Sequence, residues 1–103
     1  MKVDPKHYKV EFENDQVRVL RVHVGPKESS PMHEFLPSAR VCLTDGHYKW
    51  TLPDGKTEEH DCKAGWAGYR PAQKHAFENL SDRDFEVIIV ELKASPSAPK
   101  KKE

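Results

Sequence analysis

The chain has 103 residues, enough for one small domain and too few for two. Lys plus Arg and Asp plus Glu each number 17, so the formal net charge is zero, and without a basic field neither nucleic-acid nor anionic-membrane binding is expected. The hydrophobic share of 36 % against 33 % charged predicts a thin core, and no apolar run approaches the length of a membrane-spanning helix. No charged-then-apolar leader opens the sequence, so a cytoplasmic location is expected.

Residues 1–6 read as a flexible start, 7–93 as one β-domain and 94–103 as a disordered basic tail, since the tail has two prolines and no apolar anchor. Val17 to Val24 is rich in β-branched residues and partly alternating, which predicts a strand. Val41, Leu43, Tyr48, Trp50 and Leu52 continue the strand pattern. Tyr48 to Cys62 predicts a hairpin, in which Pro53 presets φ, Asp54 bonds its own backbone and Gly55 tolerates positive φ. Phe85 to Leu92 has an apolar centre that predicts a strand covered on both sides. Turn signals at Asn14-Asp15, Gly25-Pro26, Asp45-Gly46, Pro53-Asp54-Gly55 and Ser81-Asp82 separate these runs. No segment before residue 93 has a helical period, and the whole indicates an all-β sandwich or barrel.

Two similar segments carry the candidate chemistry, His33-Glu34-Phe35 and His75-Ala76-Phe77, each following a proline, Pro31 or Pro71. Side chains two apart on a strand share a face, so each segment sets an imidazole beside a phenyl ring. Where those faces meet, His33, Phe35, His75 and Phe77 converge, and Tyr48, Trp50, Trp66 and Tyr69 join them in lining an apolar cavity. Arg40 and Arg70 flank these segments and are expected at the surface; an inward arginine would require an anionic partner and point to a carboxylate ligand. His47 alternates with Tyr48 and is expected to face out, His60 reads as surface, and His7 falls in the frayed start. Cys42 and Cys62 are expected to pack as small apolar side chains rather than to bridge.

These residues, in their order and spacing, resemble the small single-domain cupins. Gly65, Pro71, His75 and Asn79 match the second cupin motif, and Gly46 closes the first. The resemblance spans about residues 16 to 93 and implies an antiparallel double-stranded β-helix, the cupin or jelly-roll barrel. It also implies a central metal and a homodimer. Of the four ligand positions in the family, only His33 and His75 keep a metal-binding side chain. Phe35 stands where the second histidine falls, and the glutamate falls on Ala39 or, with a longer spacing, on Arg40. Two neutral imidazoles hold a divalent ion weakly, so a divalent transition metal on His33 and His75 needs water, substrate or a partner residue to complete its shell.

The expected function is binding of a small organic molecule around His33 and His75, in a cavity lined by Phe35, Tyr48, Trp50 and Phe77. The alternatives are a metal-dependent enzyme of dioxygenase or isomerase type, and a metal-free isomerase using histidine as acid and base.

Overall fold

The computed structural model describes residues 6–93, with His33 described by its backbone alone. Residues 1–5 of the expected flexible start and the whole 94–103 tail lie outside the described residues. The strands are β1 (Tyr8–Glu13), β2 (Val17–Val24), β3 (Ser29–Phe35), β4 (Ser38–Cys42), β5 (Gly46–Thr51), β6 (Thr57–Cys62), β7 (Ala67–Arg70), β8 (Gln73–Asn79) and β9 (Phe85–Leu92). No helix occurs among the described residues. β1-β2-β9-β4-β7 form a five-stranded sheet and β3-β8-β5-β6 a four-stranded one, with every ladder antiparallel.

The two sheets pack on a shared core. Leu20, Val22 and Val24 of β2 and Phe85, Val87 and Ile89 of β9 meet Phe35, Tyr48 and Trp50 from the opposite sheet. Tyr48 and Phe85 are the main bridge, with ring centroids 5.2 Å apart. The hairpin forms as expected: β5 and β6 pair from Gly46↔Cys62 to Thr51↔Thr57, Asp54 Oδ1 accepts from Lys56 N, and Gly55 has φ of 90°. Gly46 is needed for another reason, because a Cβ there would lie 2.4 Å from the Phe85 ring.

β9 is covered on one side rather than two. Phe85, Val87, Ile89 and Glu91 are buried while Glu86, Ile88 and Val90 are half-buried and Leu92 is exposed. An antiparallel sheet needs only one face on the core, and in this chain its other face is also apolar. His7 departs from the frayed start expected of it. It is buried, and its Nε2 lies 3.0 Å from Glu28 Oε1, which ties the beginning of β1 to the β2–β3 turn.

Asn79, at the end of β8, closes the barrel. Its Nδ2 donates to the carbonyls of Val24, Gly25 and Arg83 at 2.8–3.1 Å, and its Oδ1 accepts from Ser81 N and Oγ at 2.9 Å. The side chain has no exposure, so losing it strands buried carbonyls from two turns. Asn79→Ala is expected to lower stability by about 3 kcal/mol, read as a fall in the urea midpoint. Asn79→Asp should fall nearly as far, because it keeps the acceptor and loses the donors.

Candidate functional site

The site lies between the sheets, where alternation on four strands drives rings inward. β3 supplies Phe35, β5 supplies Tyr48 and Trp50, β8 supplies His75 and Phe77, and β9 supplies Phe85, Val87 and Ile89. The His75 imidazole is 1 % exposed and held between two aromatic faces, stacked on Phe35 at 4.6 Å and on Trp50 at 4.2 Å. Phe77 stacks on Tyr48 at 5.0 Å and continues the wall. His33 stands opposite His75 on one rung of the β3–β8 ladder, next to an irregularity after Ser30, and its side chain lies outside the described residues. The structure therefore gathers Phe35, Tyr48, Trp50, His75 and Phe77 around one cavity, as expected from the sequence.

Two cations share that space, against expectation. Arg40 faces inward and is 8 % exposed, with its Nε donating to Ser38 Oγ at 3.0 Å and its guanidinium 5.1 Å from the Phe35 ring centroid. Arg40 Nη2 is buried without a hydrogen-bond partner. Arg70 sits at the mouth, its guanidinium 5.5 Å from the Trp50 ring and 5.2 Å from the Trp66 ring. The placement of Arg40 follows from β4, whose burial alternates with Ser38, Arg40 and Cys42 in and Ala39 and Val41 out. Val41 and Leu43 are both more than a third exposed. Tyr69 also departs from the expected lining and is 59 % exposed on the outer face. His60 departs in the other direction: it is half-buried, with its ring 4.3 Å from Trp50 and 5.5 Å from Tyr48. It shares a rung with Tyr48, so the polar neighbours Glu58 and Glu59 gave no sign of its direction. His47 faces out as expected, against Asp61 and Glu59.

No family model and no curated protein matches the sequence. Solved structures do match. A cupin domain from Bordetella pertussis Tohama I superposes with a TM-score of 0.78 at 25 % identity, over 84 % of this chain and 92 % of its own. An RmlC-like cupin family protein with a double-stranded β-helix fold from Methanocaldococcus jannaschii gives 0.63 at 23 % identity, over 89 % and 85 %. A cupin superfamily protein from Desulfitobacterium hafniense DCB-2 gives 0.62 at 16 %, over 84 % and 76 %. The chain has the cupin fold, a double-stranded β-helix.

The described residues do not fit the metal that the resemblance to cupins implies. Among the described residues no three His, Cys, Asp or Glu side chains gather into a cluster able to hold an ion. The second histidine position is a phenyl ring pressed on His75, and of the two candidates for the glutamate position Ala39 faces solvent while Arg40 faces in. A buried guanidinium repels a divalent cation where a carboxylate would attract one.

Burial favours the neutral forms of Tyr48, Cys42 and Cys62 in the core. Burial pushes the Tyr48 hydroxyl up to about 12 and raises the Cys42 thiol. Cys62, whose thiol touches that of Cys42 at 2.6 Å, is likewise pushed by burial to about 12. Both cysteines are buried and free. The unfolded chain releases these protons near pH 8.5–9 while the folded chain retains them, so this contribution to stability is present below that pH and is lost as pH rises towards 12. At pH 8 the folded protein should resist iodoacetamide at both thiols and react at both in urea. Rapid labelling of the folded protein would place a thiolate in the open.

Proposed function

We propose that this cupin barrel binds a small organic molecule between its sheets. The observation that carries the reading is a closed aromatic wall, Phe35, Tyr48, Trp50, His75 and Phe77, facing only a few polar groups that converge on the same space. The free space is about 30 Å3, room for one or two waters. A ligand is therefore only a few atoms across, or it displaces Trp66 and Arg70, the partly exposed groups at the mouth. Aromatic faces at 4–5 Å spacing favour a flat molecule that replaces one of the stacking contacts. Ligand-observed NMR with a set of small fragments tests this. Binding to the native protein should weaken by at least about tenfold in Trp50→Ala, which removes the largest face of the wall. Binding that is unchanged in this variant would move the ligand elsewhere. Metal content measured on the same preparations, before and after reconstitution, should remain far below one ion per chain.

We further propose that the barrel pairs with a second copy of itself through the outer face of the five-stranded sheet. One rung crosses all five strands as Phe12, Val19, Val90, Ala39 and Tyr69, each directly opposite the next. Ile88 and Val41 form part of the neighbouring rung. Phe12 and Tyr69 are more than half exposed, and Val41 and Leu92 more than a third. A continuous apolar row of this kind on a sheet face marks an interaction surface, and a flat, self-complementary row suits a two-fold partner. The double variant Tyr69→Asp, Val90→Asp is expected to sediment as a monomer where the native protein sediments as a dimer.

A further inference from the structure

We propose that the ligand of the cavity is a small carboxylate, held by Arg40 with Arg70 above it; the inference rests on the binding reading and names its ligand class. Three observations lead to this, and the first is a buried cation with spare capacity. Arg40 is 92 % removed from solvent, yet its Nη2 has no hydrogen-bond partner. A guanidinium remains charged in proteins and carries five donors in a fork that matches a carboxylate. Of these donors, Nε is used, on Ser38 Oγ. A buried charge left in this state is strongly unfavourable unless something completes its shell.

The second observation is the sign of the lining. Two guanidiniums border the cavity, and among the described residues no Asp or Glu does. The nearest carboxylate is Glu91, and it is already committed elsewhere. Its Oε1 accepts from Arg18 Nε at 2.7 Å, and Arg18 Nη2 lies 2.5 Å away. Its Oε2 accepts from Leu36 N at 3.2 Å. Two like charges facing one small apolar space repel, and the repulsion is relieved when an anion enters between them. The third observation is size: about 30 Å3 is open, which suits a carboxylate group with a short tail and no larger anion. Arg40, one of the two positions on which the family's glutamate falls, thus presents a cation to an anion. The apolar rings behind Arg40, Phe35 at 5.1 Å and Trp50 beside Arg70, would take the carbon end of the ligand.

Acetate, propionate and butyrate, each compared with its neutral amide of the same shape, provide the test. Thermal stabilisation and NMR titration of the native protein should show each carboxylate binding at least about tenfold tighter than its amide. In Arg40→Met the preference should vanish, and the unliganded protein should melt at or above the native temperature, since an uncompensated buried charge has gone. In Arg40→Lys a weaker preference for the carboxylate should persist, which keeps the test available if the methionine variant does not fold. Equal binding of acid and amide to the native protein would overturn the carboxylate assignment while leaving the cavity a binding site. A carboxylate preference that survives Arg40→Met would overturn the role of Arg40. If neither acids nor amides bind, and the fragments used to test the cavity do not bind either, the binding reading falls together with this one.

Discussion

The register of β9 is the constraint on which the rest of this barrel depends. β9 is the middle strand of the larger sheet, held by an eight-rung ladder to β2 and a five-rung ladder to β4. Those two ladders settle which residues of three strands face inward: Phe85, Val87, Ile89 and Glu91 of β9, Leu20, Val22 and Val24 of β2, and Ser38, Arg40 and Cys42 of β4. Side chains alternate with period two, so a slip of one residue would send Arg40 to solvent and Val41 to the core. The Tyr48–Phe85 contact and the absence of a side chain at Gly46 lock that register against the opposite sheet.

From this register follows an interior whose polarity is unusual for so small a core. Arg40, His75, Asn79 and Glu91 are all buried, and three of them have partners that explain them. Asn79 holds two turns, Glu91 neutralises Arg18 and caps Leu36 N, and His75 is enclosed by aromatic faces. Arg40 differs, because its charge has no carboxylate beside it. In a space of low dielectric such a charge dominates everything near it. The outer face shows the complementary oddity. Apolar residues that the interior does not take, Val41, Val90 and Tyr69 among them, collect there in register.

Much of the site was legible from residue order. The hairpin followed from Pro53-Asp54-Gly55, and the aromatic wall followed from the phase of Phe35, Tyr48, Trp50, His75 and Phe77. The misread residues share a physical cause. Alternation identifies two faces and assigns the apolar one to the core, which fails when both faces are apolar. On β4 the sequence points Arg40 outward, whereas it faces in and Val41 faces out, because the outer face of the sheet also carries hydrophobic residues. His60 was misplaced by its polar neighbours on β6, although its rung partner is the buried Tyr48. His7 was misplaced by its nearness to the start of the chain, since Glu28, which holds it, is 21 residues away.

By itself the sequence determined an all-β barrel of short antiparallel strands, because period-two patterning and turn residues act over a few neighbouring positions. It also determined that two His-x-Phe segments would meet, and that the family's metal ligands were incomplete. Only the tertiary structure decided which face of β4 and β9 looks inward, since that depends on ladders between residues about fifty apart in sequence. The same ladders decided the sign of the charge in the cavity, by setting Arg40 rather than Ala39 against the Phe35 ring. Local chemistry writes the strands, but the direction of a charged side chain is settled by the sum of burial over a whole sheet, and no short window of residues contains that sum.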